Sequence, residues 1–521
     1  MDSYGFLSLL PPLLAIILAW WTKEVILSLL IGIFAGATIL ANNNPLIGFL
    51  RTFDKYIVSS VADSWNAAVL IFLIAIGGMI GIITNAGGVA AIGDYIARKA
   101  RSVKTTQFAT WLMGIAIFFD DYANSLIVGN TMRPITDRMK ISREKLAYIV
   151  DATAAPITSM ALVSTWVAYE MGLIKDALDK INLDTNVYTI FIKSIPYRFY
   201  SIFALVLVLI IILMQKDFGP MFKAEVRARK TGKVLRDGAV PMVAKELTDM
   251  EIAENKDLDW FIDAFLPIIS VIVITLVGLW YNGGGPSGLT IRQAFGNADA
   301  SVALVWASFG GSIIAGIIAL LRGSLSISGV VKGWVEGAKS MVFATFILVL
   351  AWSLNSVTDG LGTANYLVGI TREVISPFLV PLIVFIVSAF IAFATGTSWG
   401  TNAVVMPLAV PLAYSLGIPF VPTIGAVLTG AVVGDHCSPI SDTTIMSSTA
   451  SGSDHLDHVK TQLPYALTGA LVAGLFGFIP AGLGVSAYIS LPLGVVALIL
   501  IVYFFGKSVK EEDIEDLVLE E

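Results

Sequence analysis

Two adjacent carboxylates interrupt a long apolar stretch of the sequence. Asp120 and Asp121 follow an uncharged run, and the amide of Asn124 and the hydroxyl of Ser125 come directly after them. Ionisable groups inside apolar segments are energetically costly and mark the paths of ions or substrates. Carboxylate, amide and hydroxyl oxygens are ligands that hard cations prefer. The cluster predicts a Na⁺ site at Asp120, Asp121 and Asn124, with a polar turn or helix cap at a membrane surface as the alternative.

A second group of oxygen-bearing residues surrounds a proline. Pro156 lacks a backbone N–H and frees a carbonyl about one turn earlier, so a helix should break there. Asp151 precedes this break and Thr158 follows it. We expect both residues to face an ion or substrate site. A simple proline kink, with Asp151 paired to an arginine, is the alternative.

A third cluster carries hydroxyl and amide groups but no charge. Its candidates for binding are Thr395, Thr397, Ser398 and Asn402. Helix N-termini at such a break favour an anion or a carboxylate, whereas the carbonyls of the turn favour a cation. The alternative is that these hydroxyls bond to the backbone of an ordinary helix.

A fourth cluster combines two acids, a histidine and several hydroxyls around a proline. Asp435 is expected to complete the Na⁺ site, and His436 is of the type that titrates near neutral pH. The other candidates for ion or substrate binding are Ser438, Asp442 and Thr443. For His436 the alternative is a structural pair with a neighbouring acid.

The composition requires membrane helices to position these residues. Of the 521 residues, 56% are hydrophobic and 14% are charged, and the mean hydropathy is +0.81. Soluble domains carry about 25% charged residues. Uncharged stretches such as 65–84, 302–321 and 485–505 have the roughly 20 residues that span a bilayer. The predicted fold class is an all-α polytopic membrane protein in contact with the lipid bilayer.

Several classes of protein are excluded or disfavoured by the sequence. One cysteine rules out a disulfide framework within the chain, and three histidines give poor support for a His-rich metal site. Neither a Walker A nor an HExxH pattern is present, so ATP-driven transport and zinc-dependent hydrolysis are not expected. We predict no enzymatic activity, no cofactor and no nucleic-acid partner.

A basic insertion divides the chain into two halves. Residues 216–259 carry many Lys and Arg residues, and under the positive-inside rule they should form a cytoplasmic, solvated connector. The connector separates an N-terminal membrane half, 1–215, from a C-terminal membrane half, 260–506. Residues 507–521 form an acidic tail that should also be cytoplasmic.

The two halves resemble each other in sequence. The run 84–88 matches 358–362 at a separation of 274 residues. Further on, 155–159 matches 438–442 at a separation of 283 residues. Because the matches occur in the same order, they predict an internal repeat.

The distribution of basic residues indicates that the repeats are inverted in the membrane. Lys and Arg flank both ends of 106–132, whereas none lies between Arg372 and Lys460 around the matching segment 375–410. Each segment should therefore enter and leave on one side of the membrane, and the two should use opposite sides. Two inverted-topology repeats with re-entrant hairpins and discontinuous helices are a recurring transporter design.

Three runs of the sequence resemble the NhaC family of Na⁺/H⁺ antiporters. They are 119–124, 151–159 and, most specifically, 434–443. The resemblance covers most of the chain apart from the connector and the acidic tail. It implies membership of the ion transporter superfamily, a mobile transport region beside a scaffold, a homodimer and an elevator-type movement. Members of the family also exchange organic acids or amino acids, so the resemblance leaves the solute open.

The expected function is Na⁺/H⁺ antiport in the cytoplasmic membrane of a prokaryotic cell. Asp120, Asp121 and Asp435 would bind Na⁺ and H⁺ in turn, and competition for these carboxylates would couple the two ions. The alternative is a Na⁺- or H⁺-coupled transporter of an amino acid or small carboxylate, which the hydroxyl-rich breaks would bind. An intramembrane aspartyl enzyme and a passive channel are less consistent with paired broken helices.

Overall fold

Almost all of the described chain is helical. The computed structural model describes residues 4–22, 24–97, 101–162, 164–241, 258–363, 366, 376–439 and 441–509. The α-helices are α1 (Leu10–Thr22), α2 (Val25–Leu40), α3 (Pro45–Arg51), α4 (Val58–Ala62), α5 (Ser64–Asn85), α6 (Gly88–Ala97), α7 (Val103–Ala116), α8 (Asp121–Arg138), α9 (Arg143–Ala152), α10 (Ala155–Thr158), α11 (Thr165–Lys180), α12 (Val187–Ser194), α13 (Phe199–Met214), α14 (Gly219–Thr231), α15 (Leu266–Asn282), α16 (Ile291–Asn297), α17 (Ala300–Leu321), α18 (Ile327–Ser340), α19 (Val342–Gly360), α20 (Val380–Thr395), α21 (Ser398–Ser415), α22 (Phe420–Cys437), α23 (Asp442–Ser451), α24 (His455–Val472), α25 (Ile479–Gly482) and α26 (Ala487–Phe505). Short 3₁₀ or π segments cover Gly5–Leu9, Thr52–Ile57, Ile195–Tyr197, Phe261–Phe265, Gly285–Ser287, Pro377–Leu379 and Ala473–Phe478. Two short strands, β1 (Lys216–Asp217) and β2 (Lys507–Ser508), pair antiparallel.

Eight helical segments within these ranges are long and apolar enough to cross a membrane. They are Ser64–Asn85, Phe261–Asn282, Ser301–Leu321, Ile327–Gly360, Pro377–Thr395, Phe420–Cys437, His455–Gly482 and Ala487–Phe505. A pair bent by 46°, Val187–Tyr197 and Phe199–Met214, adds a ninth if it is counted as one span. Large apolar side chains such as Leu321 (83% exposed) point outward, as contact with lipid requires. The prediction of a multi-pass α-helical membrane protein is confirmed.

The two segments predicted as hairpins are helix pairs joined at tight turns. Residues 117–120 separate α7 from α8, and Gly396 and Thr397 separate α20 from α21. Gly396 adopts φ +72°, a left-handed conformation that glycine takes without steric cost. Both segments therefore break beside their polar clusters.

Two further breaks lie next to these helix pairs. α9 ends at Ala152, and the one-turn helix α10 carries Pro156 in its first turn. In the other half, α22 ends at Cys437, Pro439 lies in the break, and α23 begins at Asp442. Proline cannot supply the N–H that a continuous helix needs, so both breaks follow from the sequence.

Small residues allow each helix pair to pack closely against the neighbouring break. A Cβ atom on Gly114 of α7 would lie 2.0 Å from Thr153 Oγ1 at the end of α9. A Cβ atom on Gly434 of α22 would lie 2.2 Å from the carbonyl oxygen of Ala389 on α20. The polar groups at the breaks are therefore held within hydrogen-bonding range of the helix pairs.

One face of helix α14, in the first part of the connector, is buried, whereas the sequence predicted a solvated segment. Helix α14 buries Glu225 and Arg229, which form an ion pair of 3.1 Å. Glu225 Oε1 also accepts hydrogen bonds from the N–H and the hydroxyl of Ser142, which caps α9. These two charged side chains can be buried because they form an ion pair with each other. Residues 242–257 of the connector and 510–521 of the tail lie outside the described residues.

A second buried ion pair joins the connector to α9. Lys145 Nζ lies 2.5 Å from Asp217 Oδ1, and both side chains are buried. Tyr465 Oη donates to the same carboxylate oxygen at 2.6 Å. The start of α9 is thus fixed to β1 and α24, while its other end carries Asp151.

Candidate functional site

Asp151 lies in the last turn of α9 and is 1% exposed. Its carboxylate accepts hydrogen bonds from Gln462 Nε2 (2.7 Å), Thr444 Oγ1 (3.0 Å) and Ser447 Oγ (3.3 Å). Among the described residues no lysine or arginine forms an ion pair with Asp151, which argues against the arginine-paired alternative. Ionising a buried carboxylate that is held by neutral donors is unfavourable. A proton or a bound cation would therefore stabilise this group.

Asp435 joins the second helix pair to the break that follows α22. Its Oδ2 atom accepts hydrogen bonds from the hydroxyl (2.7 Å) and the N–H (3.3 Å) of Ser398, at the start of α21. Its Oδ1 atom accepts a hydrogen bond from Ser441 Oγ at 2.6 Å. Thr443 Oγ1 lies 3.0 Å from that serine hydroxyl. Asp435 is thus a buried carboxylate surrounded by hydroxyl groups of two elements.

Helix α23 connects the two aspartates. Thr444 Oγ1, which donates to Asp151, lies 3.5 Å from the carbonyl oxygen of Asp435. One turn later, Ser447 bonds to Asp151 and lies 3.1 Å from the hydroxyl of Ser125 on α8. The structure therefore brings together residues of both halves in one buried polar network.

Three backbone carbonyls converge on Asn124. Its Nδ2 atom lies 2.6 Å from the carbonyl oxygen of Gly114, 3.0 Å from that of Ile117 and 2.9 Å from that of Thr153. An amide carries two N–H hydrogens, so three carbonyls exceed what it can satisfy fully. These oxygens belong to the ends of α7 and α9, and such helix ends coordinate cations in transporters.

Asp120 and Asp121 lie where the chain turns from α7 into α8. Both side chains are buried, with 5% and 2% exposed. α8 begins at Asp121, so both acids lie at a helix N-terminal end, which carries partial positive charge. Their role in binding Na⁺ stays a prediction.

Two of the predicted hydroxyls bond to nearby backbone. Thr395 Oγ1 donates to the carbonyl of Ile391 at 2.9 Å, and Ser438 Oγ donates to the carbonyl of Phe393 at 2.8 Å. For Thr395 this is the helical back-bonding that the sequence left as an alternative. For Ser438 the bond ties the break to α20.

Other predicted oxygens lack such partners. Thr158 Oγ1, Thr397 Oγ1 and Asn402 Oδ1 are buried without a hydrogen-bond partner within the described part of the chain, as is Asn124 Oδ1. Unsatisfied buried oxygens are uncommon, and each is suited to an ion or a polar solute. Asp442 is the first residue of α23.

His436 pairs with a tyrosine that the sequence analysis missed. Its Nδ1 atom lies 2.6 Å from Tyr200 Oη, while its Nε2 atom lies 3.9 Å from Asp151 Oδ2. Tyr200 was overlooked because it lies in the apolar helix α13. Gln462 and Ser447 were also missed, although a glutamine within an apolar helix is a detectable signal.

Comparison with known proteins connects this geometry to a family. The model of the Na⁺/H⁺ antiporter family matches residues 157–483. An uncharacterised protein of Haemophilus influenzae is 33% identical to this chain, and the match covers 96% of this chain and 95% of that protein. The malate-2H⁺/Na⁺-lactate antiporter of Bacillus subtilis is 33% identical over 28% of this chain and 32% of its own.

A solved structure shares the fold. The YdaH transporter of Alcanivorax borkumensis matches with a TM-score of 0.57 and 14% identity, over 84% of this chain and 90% of that chain. At this identity the likeness concerns the fold alone. The family match confirms the resemblance to NhaC antiporters and makes the protein a secondary transporter. The chain belongs to the Na⁺/H⁺ antiporter family.

Proposed function

We propose that the protein exchanges Na⁺ for H⁺ across the cytoplasmic membrane of a prokaryotic cell. The observation that carries this proposal is the contact of α23 with both Asp151 and Asp435. Each carboxylate is buried, and a cation or a proton would offset the unfavourable burial of its charge. Because either ion satisfies the same groups, the two compete, and competition couples their movements without ATP.

The proposed Na⁺ ligands are oxygens of both halves. Asp435 and the hydroxyl of Ser398 supply one side, and the acids at Asp120 and Asp121 with the carbonyls around Asn124 supply the other. Carboxylate, carbonyl and hydroxyl oxygens suit a hard cation. We place the proton that exchanges with Na⁺ on these buried carboxylates.

Alternating access is proposed to follow from inverted repeats, with the helix pairs moving as part of an elevator in a homodimer. One geometric parallel supports the repeat. Asn124 and Ser398 are separated by 274 residues, the separation of the first sequence match. Asn124 bonds to the end of α9, and Ser398 bonds to Asp435 near the end of α22. Paired breaks of this kind support a transport site at the interface of the two halves.

Proton flux in proteoliposomes tests the proposal. A Na⁺ gradient should drive proton movement in the wild type, and Asp435→Asn or Asp151→Asn should lower the rate by about 100-fold or more, as expected when an essential buried charge is lost. Asp237→Asn is the matched control, because that aspartate is exposed and pairs with Lys233 outside the membrane segments. Wild-type rates in both site variants would contradict the proposal.

A second candidate is Na⁺-coupled transport of a small carboxylate. The name of the Bacillus relative, which specifies malate and lactate, favours it. The unsatisfied oxygens of Thr397 and Asn402 could hydrogen-bond such a solute. Malate or lactate that raises the melting temperature of the purified protein only when Na⁺ is present would support this candidate over simple ion exchange.

A further inference from the structure

Helix α11 bonds to the backbone of both helix pairs. The N–H of Thr165, the first residue of α11, donates to the carbonyl oxygen of Phe119 at 3.0 Å. Phe119 lies in the turn between α7 and α8. One helical turn after Thr165, the hydroxyl of Tyr169 donates to the carbonyl oxygen of Trp399, in the first turn of α21. The first turn of α11 therefore joins the first helix pair to the second.

Both of these carbonyl groups adjoin proposed Na⁺ ligands. Phe119 directly precedes Asp120, and Trp399 directly follows Ser398. The hydroxyl of Ser398 in turn donates to Asp435 at 2.7 Å. Neighbouring residues share a planar peptide group, so a shift of one backbone position displaces the next. The position of α11 therefore bears directly on both groups of ligands.

Packing and an ion pair hold Tyr169 in place. Its side chain is fully buried, and its ring centroid lies 4.3 Å from that of Trp399. The ring of Trp166 contacts the same indole at 5.4 Å. The next residue, Glu170, forms a buried ion pair of 2.7 Å with Arg198. The Tyr169 hydroxyl is therefore presented to α21 from a rigid support.

The first turn of α21 is not fixed by its own N-cap residue. The Thr397 side chain makes no capping hydrogen bond, and its hydroxyl has no partner among the residues that the structure describes. A helix that starts without a cap leaves the N–H groups of its first turn unsatisfied. The bonds of this turn to other elements, at Ser398 and Trp399, therefore matter for where it lies.

We propose that Tyr169 is a positioning residue, whose hydroxyl sets the spacing between the two groups of Na⁺ ligands and with it the preference for Na⁺ over the larger K⁺. This inference rests on the proposed exchange of Na⁺ for H⁺. Ser398 and Asp435 form one group of ligands, and Asp120 and Asp121 belong to the other. Selectivity between hard cations depends on the size and flexibility of the ligand set. Without the tyrosine hydroxyl, the two groups can separate far enough to accept K⁺.

Calorimetric Na⁺ titration of Tyr169→Phe, with and without K⁺, tests the proposal. Phenylalanine keeps the ring contact and removes only the hydroxyl, so Na⁺ affinity should fall by roughly 2- to 10-fold, the effect of one neutral hydrogen bond. K⁺ should also displace Na⁺ at a lower concentration than in the wild type. Tyr188→Phe is the matched control, because its hydroxyl bonds to the carbonyl of Leu162 at 3.0 Å. Loss of folded protein lowers the number of sites but leaves the ratio of the Na⁺ and K⁺ affinities unchanged. A folded Tyr169→Phe protein with the wild-type ratio would overturn the inference.

Thr165→Pro tests the other end of the same connection. Proline lacks the N–H that bonds to Phe119 but is tolerated at the first position of a helix. The preceding Ser164 is extended, with φ −159° and ψ 174°, as a residue before proline should be. The ratio of the Na⁺ and K⁺ affinities should shift in the same direction as in Tyr169→Phe, and a wild-type ratio would contradict the proposal. Na⁺ binding with unchanged selectivity in both variants refutes the role of Tyr169 alone. A wild type that binds no Na⁺ refutes Na⁺/H⁺ exchange itself.

Discussion

The side chain of Thr444 lies between the two buried aspartates, Asp151 and Asp435. Its hydroxyl donates to Asp151 and approaches the Asp435 backbone, and it has no other role in the described contacts. Removing it would leave the Asp151 carboxylate with two donors, from Gln462 and Ser447. The Asp151 carboxylate therefore receives one of its three hydrogen bonds from the residue that also approaches the Asp435 backbone.

Thr444→Val tests this hydrogen bond because valine keeps the shape and loses only the hydroxyl. A hydrogen bond to a charged group contributes about 1.5–3 kcal/mol, so Na⁺ affinity should fall by roughly 10- to 100-fold. The control is Thr449→Val on the same helix, whose hydroxyl bonds to the carbonyl of Ile445. Calorimetric Na⁺ titration measures both, and equal affinities would show that Thr444 does not act on the site.

Single residues of the candidate site could be predicted where a charged or polar side chain occurs within an apolar stretch of the sequence. Asp151, Asp435 and Ser398 were identified in this way, and they share the network. Gln462 was missed although its type gives the same signal, and Tyr200 was missed because its partner His436 lies 236 residues away and only the fold brings the two together. The chemical type of a residue can be read directly from the sequence, whereas its hydrogen-bond partners depend on the fold.

At the scale of helices, close approach of α7 and α9 positions the carbonyls around Asn124. Gly114→Ala would place a methyl group 2.0 Å from Thr153 Oγ1 and 2.5 Å from its Cβ atom, so the helices must separate. We expect a loss of about 1–3 kcal/mol of stability from overpacking, with reduced transport. Gly329→Ala is the control, because its nearest neighbours lie at 3.4 Å. Thermal unfolding in detergent that ranks the two variants equally would contradict this packing.

The buried Lys145–Asp217 pair gives a second test of how α9 is held. Lys145→Met leaves Asp217 buried without its cation and should destabilise the protein by about 3–5 kcal/mol. The double variant Lys145→Met/Asp217→Leu removes both charges and should recover much of that loss. Midpoints of denaturant unfolding measure the difference. A double variant no more stable than Lys145→Met would show that the connector is held by other contacts.

The helix breaks were predictable and the packing of the connector was not. Pro156, Pro439 and Gly396 each mark a break, because proline lacks the N–H and glycine takes a left-handed turn. The number of Lys and Arg residues led to the prediction of a solvated connector. Such a number takes no account of the carboxylates with which these residues form ion pairs. Arg229 pairs with Glu225 within α14, and this pair is buried.

At the scale of the molecule, α23 of the C-terminal half lies against residues of both halves. It bonds to Asp151 and Ser125 from the first half and approaches Asp435 in the second. Contact between the two halves at these residues is consistent with the alternating access that we propose, because transporters with inverted repeats bind their substrates at the interface of the repeats. Composition alone predicted the membrane class, whereas the pairing of the halves needed contacts across hundreds of residues.

The pH dependence of Na⁺ binding to the purified wild type tests the central claim most directly. If Na⁺ and H⁺ compete for the buried groups, the Na⁺ dissociation constant should rise as pH falls, by about tenfold per pH unit for one displaced proton. K⁺ at equal ionic strength controls for screening. A steep dependence that flattens in Asp435→Asn is the predicted result. A dissociation constant that is the same across the pH range would show that the two ions do not share a site.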